Sequence, residues 1–392
     1  MSGQGEAAQV LQEPPKSGDE WIPINDTARV FAVHAEPLSA AILKTARSGC
    51  WLNGSNVRAF AEALRLYLGV LHTIPVASGT DALELAMRAI IHCRRPRGRE
   101  VVTVANAGGY AVTACQHVGL CPVFVDVEEK SLLVDPQAVL AALGPETAMV
   151  VVTHLYGGIV DVPMLRREMD AAGFPELPII EDCAQAHGGQ FADCRAGAMG
   201  DLAAFSFYPT KNLGAMGDAG AVATSDKELY EVIGQLHQYG WSDKYRVSVP
   251  GGRNSRMDEL QAAVLSTLLP HLDSLNRRRV AILSDYQEAA AGDVRFSSCA
   301  TASVAHLAVA LCPRRDAFRH HMSERKIATA IHYPVLDCDQ PGWSGLPQTI
   351  GPRGLNRSRR SVEQIVTLPC FPLMTNEEIG RVLDALKAWG QQ

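Results

Sequence analysis

The chain has 392 residues, 36 Lys and Arg against 42 Asp and Glu, and a formal net charge of −6. That balance gives no basic field for nucleic acid or an anionic membrane, so any bound phosphate must be held by local geometry. With 47% hydrophobic and 20% charged residues the mix is globular, and the length exceeds one core, so a large and a smaller domain are expected.

Residues 1–20, MSGQGEAAQVLQEPPKSGDE, are acidic and polar with two prolines. They lack the basic and apolar regions of a signal peptide and read as a flexible tail. Trp51-Leu52-Asn53-Gly54 precedes an amphipathic helix. From about residue 70 to 225 short apolar runs alternate with helical patterns. Glu100–Val104, Pro122–Val127, Ala148–Thr153 and Leu177–Asp182 are rich in Val and Ile and bounded by Gly, Pro or polar residues, as strands buried on both faces are. Ala204–Tyr208 and Ala219–Thr224 add two more. Helices are expected over Asp81–Ile91, Ala111–Val118, Pro136–Leu143 and Val162–Ala172. This alternation predicts a largely parallel α/β sheet. Beyond about residue 255 the pattern changes: Arg256–Val280 reads as one long helix, and a mixed segment ends in a helix over Asn376–Trp389. The expected division is 21–260 for the large domain and 261–392 for the small one, with the boundary near 255–265.

No stretch has the length and lack of charge of a transmembrane helix. Ten cysteines are scattered without a CxxC pair, which suggests reduced, mostly buried thiols in a cytoplasm and argues against a metal site.

The chemistry concentrates in three places. In Ser206-Phe207-Tyr208-Pro209-Thr210-Lys211-Asn212-Leu213-Gly214 an apolar strand delivers a lysine onto a glycine-rich loop. A lysine amine forms a Schiff base only where partial desolvation lets its neutral form survive; alone, a loop lysine is as well explained by solvation. Asp182 closes the strand LPIIED at the carboxyl end of a parallel strand, where α/β sheets bind ligands. Alone it is equally a helix cap, but it lies 29 residues before Lys211 (211 − 182), an interval that lets both face one cleft. Ala77-Ser78-Gly79-Thr80-Asp81 opens a helix. Gly79 admits an anion close to backbone amides, Thr80 adds a hydroxyl and the helix terminus favours negative charge; the same residues also make an ordinary cap. His154 and His187 are expected to be core histidines.

In this order VASGTDAL, EDCAQAHGG, SFYPTKNLGAMGDAGAV and GGRNSRMDELQAAVL resemble the DegT/DnrJ/EryC1/StrS family of sugar aminotransferases, a likeness running from about Gly49 to Pro372. The resemblance implies pyridoxal-phosphate (PLP) fold type I, with a mostly parallel mixed sheet in the large domain and a smaller C-terminal α/β domain. It implies transfer of an amino group, usually from L-glutamate, to a keto carbon of a nucleotide-linked hexose. Lys211 would be the internal-aldimine lysine, Asp182 would pair with the pyridine nitrogen, and Gln185 would lie near the ring's 3-oxygen. Gly79, Thr80 and Ser206 would hold the phosphate, and Asn254 would reach the phosphate of the neighbouring subunit in a homodimer. Arg256 is expected to order its own loop through Asp258 or Glu259. Tyr110 would stack over the cofactor, although Asn106-Ala107-Gly108-Gly109-Tyr110 displaces the aromatic from its usual place. His332-Tyr333-Pro334 resembles a segment near the substrate, but Cys338 stands where many members carry histidine. Three other readings stay open. One is a dehydratase of the same family, which carries histidine in place of the lysine and against which Lys211 speaks. The others are an aminotransferase for a cyclitol or other non-nucleotide ketone, and a non-catalytic regulatory protein on the same fold.

Overall fold

The computed structural model describes residues 20–298 and 302–391, so the tail expected over residues 1–20 lies, but for its last residue, outside the described residues. The strands in chain order are β1 His72–Val76, β2 Glu100–Val104, β3 Cys121–Val125, β4 Thr147–Thr153, β5 Ile179–Asp182, β6 Leu202–Ser206, β7 Gly220–Thr224, β8 Arg295–Phe296, β9 Ala308–Leu311, β10 Thr349–Ile350 and β11 Ile365–Leu368. Two short hairpins, Gln190–Phe191 with Cys194–Arg195 and Trp241–Asp243 with Arg246–Val247, stand apart.

One eight-stranded sheet has the order β1-β7-β6-β5-β4-β2-β3-β10. Pairings from β6 through β10 are parallel, while β7 runs antiparallel to both neighbours. The apolar runs work because alternate side chains serve opposite faces. Val101 and Val151 pack with the helix Gly79–Arg94, whereas Val102, Val150 and Val152 pack with the helices Pro136–Ala142 and Val162–Ala171. Burial of both faces is what permits a parallel sheet.

Expectation and structure agree on the type of every central element, and on the bounds of β2 and of the helix Asn376–Trp389. They differ at three places. β1, HTIPV, is not among the expected strands; its Pro75 cannot donate to a ladder, and it lies at the sheet edge, where that loss is tolerated. The long helix expected over Arg256–Val280 is two helices, Glu259–Leu268 and Leu272–Ala289, parted by a tight turn at Leu269–His271. Pro270 inside that turn removes an amide donor and crowds the preceding carbonyl. Third, β10 comes from the C-terminal part of the chain and pairs with β3.

A second, antiparallel sheet of order β8-β9-β11 is covered by the helices Leu272–Ala289, Arg315–Glu324 and Asn376–Trp389, with Tyr286, Phe318 and Trp389 fully buried. Ile22 belongs to this core and bridges Ile327. Arg29, in the helix Thr27–Val33, grips both oxygens of Glu378 at 2.7 Å each. The segment around residues 22–29 is thereby fastened to the C-terminal part of the chain, and its Ile24 and Asn25 line the cleft described below. Among the described residues no helix is long and apolar enough to cross a membrane.

Candidate active site

β6 ends at Ser206, and the chain then folds into a loop closed by its own amides. Phe207 N donates to Ala219 O at 2.8 Å, Ala215 N to Phe207 O at 2.8 Å, and Lys211 N to Tyr208 O at 2.8 Å. The loop delivers Lys211 into a cleft of about 610 Å³ whose lining includes Gly79, Thr80, Tyr110, Asp182, Ser206, His306 and Tyr333. Burial lowers the Lys211 ammonium to about 8, against an upward pull from Asp182. The neutral amine is therefore accessible near neutral pH, as a nucleophilic lysine requires.

Asp182 is the last residue of β5 and is buried. Its Oδ1 accepts from Ala184 N at 3.1 Å, and Thr153 Oγ1 donates to Oδ2 at 3.5 Å. Burial raises its pKa, while the Ala184 amide and Lys211 lower it. A buried carboxylate with so few donors favours a cationic partner.

The turn at residues 78–80 serves both readings of its sequence. Ser78 caps the helix Gly79–Arg94 by accepting from Asp81 N at 3.1 Å, which leaves Gly79 and Thr80 on the cleft. A Cβ on Gly79 would lie 2.4 Å from Ser206 Cβ, and one on Gly220 would lie 2.3 Å from Ser78 O. Two glycines thus let a helix N-terminus and two strand ends close to backbone distance, a geometry that suits a phosphate.

Gln185 is buried with both ends of its amide engaged: Tyr156 N donates to Oε1 at 2.6 Å, and Nε2 donates to Tyr333 Oη at 3.0 Å. The Tyr156 amide can only donate, so the orientation of Gln185 is fixed. Tyr110 opens the helix Tyr110–Val118 after two left-handed glycines, Gly108 and Gly109; its half-exposed ring meets Tyr333 edge-on at 6.3 Å.

Asn254 is exposed and does not line the cleft of its own chain. Its loop is anchored nonetheless, by Arg253 to Glu84 at 2.6 Å and by Ala77 N donating to Ser255 Oγ at 3.2 Å. The partner expected for Arg256 needs correcting. Arg256 lies over the Tyr239 ring at 6.0 Å and its Nε is unpartnered, while Glu259 instead takes the amides of Gly54, Asn56 and Val57 at 2.7–3.0 Å. A helix N-terminus with free amides outcompetes a distant guanidinium for that carboxylate.

His154, Glu181 and Cys183 bring ligand-type atoms within 4.8 Å of one another, but those atoms are committed. Val160 N donates to His154 Nδ1 at 3.0 Å, so Nε2 carries the proton it gives Glu181 at 2.9 Å. Glu181 also takes the amides of Gly197, Met199 and Gly200 at 2.7–2.9 Å. Burial keeps Cys183 a thiol. This network locks the 196–200 loop against β5. His187 is likewise core, stacked on Phe205 and Phe207.

Sequence reasoning passed over His306 and Asn25, which also line the cleft. Neither sits in a motif, and His306 reaches Lys211 from 95 positions away (306 − 211).

An amine kept partly neutral, a carboxylate at a strand end and an anion-binding turn are what a pyridoxal phosphate demands of a protein, and the residues here fit that group. The molecule is a PLP-dependent enzyme of fold type I. The chain belongs to the DegT/DnrJ/EryC1/StrS aminotransferase family, whose model matches residues 34–387. It is similar to dTDP-3-amino-3,4,6-trideoxy-alpha-D-glucose transaminase of Streptomyces venezuelae, 36% identical over 375 residues that span 95% of this chain and 97% of the relative. Among solved structures it resembles S. venezuelae DesV in complex with a ketimine intermediate (TM-score 0.88, 36% identity, 95% of this chain and 99% of the other). It also resembles NtdA from Bacillus subtilis with bound cofactor PMP (TM-score 0.85, 26% identity, 96% and 86%).

Proposed function

We propose that this aminotransferase moves an amino group from L-glutamate to the C3 keto carbon of a deoxyhexose carried on a nucleotide diphosphate. The observation that carries the reading is Lys211 and Asp182 facing one cleft, each shifting the other's protonation. The transaminase named for a dTDP-3-amino sugar, similar over nearly the full length of both chains, supports the substrate class and the carbon.

When bound, pyridoxal phosphate supplies a carbonyl for the migrating amine and a ring that withdraws electrons. Lys211 would hold the cofactor covalently, and its amine, kept partly neutral by burial, is the group placed to take up and return a substrate proton. Asp182 would keep the ring nitrogen protonated, Gln185 would sit toward the 3-oxygen, and the Tyr110 ring would cover one face. Gly79, Thr80 and Ser206 would hold the phosphate by amides and hydroxyls, in keeping with a chain of net charge −6. Asn254, outside its own cleft, completes the phosphate site of a second copy in a two-fold homodimer, where each chain offers the other the same patch. The scattered thiols fit a cytoplasmic enzyme.

The test is a panel of nucleotide-linked 3-keto and 4-keto hexoses and a free cyclitol ketone with L-glutamate, read by mass spectrometry. Amination of a 3-keto nucleotide sugar is expected. Turnover of the cyclitol alone would replace the substrate part of the reading, and borohydride fixing the cofactor to any lysine other than Lys211 would end the mechanism.

A further inference from the structure

The turn at residues 77–81 is gripped from outside the cleft by a loop that lies far along the chain. Ala77 N, one residue before the capping Ser78, donates to Oγ of the fully buried Ser255 at 3.2 Å. At the other end of the turn, Arg253 Nη1 lies 3.2 Å from Asp81 Oδ1 and 2.6 Å from Glu84 Oε2. One loop thus holds both flanks of the segment that carries Gly79 and Thr80. That loop is itself fixed by backbone. Arg253 N donates to Leu236 O at 2.8 Å, Ser255 N to His237 O at 2.9 Å, and Tyr239 N to Arg253 O at 3.0 Å. Charge adds a second reason for the grip. Asp81 and Glu84 are buried on the first two turns of the helix Gly79–Arg94, whose N-terminus opens on the cleft. Left uncompensated, an acid in the first turn repels a phosphate there and competes with it for the positive end of the helix. Glu84 also takes Arg88 Nε at 2.9 Å and faces His117 Nδ1 at 3.0 Å, but among the described residues Asp81 pairs with no cation besides Arg253.

We infer that Arg253 and Ser255 are positioning residues for the cofactor phosphate. From behind the turn they hold its amides and the Thr80 hydroxyl in an anion-binding arrangement, and Arg253 neutralises the carboxylate of Asp81. Neither residue lines the cleft, so both act through the turn rather than on the cofactor. The inference rests on the reading of Gly79 and Thr80 as the phosphate turn. It differs from the role given to Asn254, which stands exposed between the two and faces away from its own cleft.

The experiment titrates full-length, cofactor-free protein with PLP and, separately, with pyridoxal, which lacks the phosphate. A residue that shapes the phosphate turn changes the first affinity and spares the second, whereas general loosening of the fold weakens both. In Arg253→Gln the Kd for PLP should rise about tenfold, what one charge-assisted hydrogen bond is worth, with pyridoxal unchanged within about twofold. Ser255→Ala, which removes a neutral bond and little volume, should cost about threefold for PLP alone. Arg253→Lys restores a cation and should recover part of the loss. Thermal unfolding of cofactor-free Arg253→Gln should stay close to wild type, because Glu84 keeps Arg88 and His117. Adding Asn254→Ala must leave the Arg253→Gln effect in place, as independent sites do. If that effect vanishes, Arg253 works only through Asn254 and the inference falls. Equal losses for PLP and pyridoxal, or an unchanged ratio in both Arg253→Gln and Ser255→Ala, overturn it as well. Thr80→Ala separates this from the reading beneath. No loss of PLP preference there means the turn does not hold the phosphate, while a loss there with none in Arg253→Gln and Ser255→Ala sinks the present inference alone.

Discussion

Gly79→Ala tests whether the anion-binding turn depends on close backbone approach. The added Cβ would lie 2.4 Å from Ser206 Cβ and 3.0 Å from Ser206 Cα. Nonbonded carbons rest at about 3.5–4.0 Å, so roughly an ångström must open between helix and strand. Neither side yields easily. Ser206 is paired with Gly220, and Gly220 is pressed so close to Ser78 O that its own Cβ would fall 2.3 Å away. Overpacking of this kind costs about 1–3 kcal/mol. If the displacement also widens the phosphate turn, PLP affinity falls about five- to 150-fold. Thermal unfolding of cofactor-free protein reads the first effect and a fluorescence titration with PLP reads the second. Gly234→Ala is the control. This position lies inside the helix Lys227–Leu236 and a Cβ there meets nothing within 4 Å, so about 0.5–1 kcal/mol of stabilisation is expected. Adding Ser206→Gly to Gly79→Ala removes the closest atom, so stability should partly return while affinity, having lost a hydroxyl, should not. Wild-type stability and affinity in Gly79→Ala would refute the reasoning.

Asp182→Asn keeps the shape at the strand end but removes the charge. The half-reaction with L-glutamate, followed by stopped-flow absorbance, should slow at least 100-fold with the cofactor still bound; a near-normal rate would mean another group protonates the ring. Lys211 has a folded pKa of about 8 against an ordinary 10.5, so burial destabilises the fold while the amine is charged in both states, below about pH 8. That cost fades as pH rises to about 10.5. Cofactor-free Lys211→Met should therefore be more stable by up to about 3 kcal/mol near pH 7, less what Asp182 loses with its neighbour, and the advantage should shrink between pH 8 and 10.5 in urea titrations. An advantage that grows with pH would contradict the sign. For the shared site, co-refolding inactive Lys211→Ala with Asn254→Ala should return up to half of wild-type activity per heterodimer, because one site carries both lesions and the other none. Mixed dimers without activity would confine Asn254 to its own chain.

What the sequence made legible follows from where information is local. β2 to β6 were legible because burial of both faces forces continuous Val, Ile and Ala; Lys211, Asp182 and Gly79, each where such a strand ends or a helix begins, line one cleft, together with Ser206, which only the family resemblance pointed to. β1 carries Pro75, whose cost depends on edge position, and edge position is a property of the whole sheet. Pro270 parts the segment Arg256–Val280 into two helices although apolar residues continue on either side of it. Arg256 and Glu259 look like natural partners three residues apart, yet Glu259 answers to amides some 200 positions earlier.

His154 and His306 show why the rest was not legible. Both are buried histidines, and nothing in their neighbours' identities tells them apart. At His154 an amide donates to Nδ1, so Nε2 must give its proton to Glu181; both nitrogens are spent, and the ring is a brace. At His306 a side-chain oxygen accepts at Nδ1, which leaves Nε2 the unprotonated nitrogen, with no hydrogen bond to it among the described residues. The difference comes down to whether the partner at one nitrogen donates or accepts. For His306 that partner is an amide held by Val304 and by Asn276, which is itself held by the carbonyl of His187. Four segments far apart in the chain must meet before the imidazole has a defined chemical character. Residue type therefore announces a capacity for chemistry, and the backbone carbonyls at the far end of the network decide whether that capacity is used up in the core or delivered to the cleft.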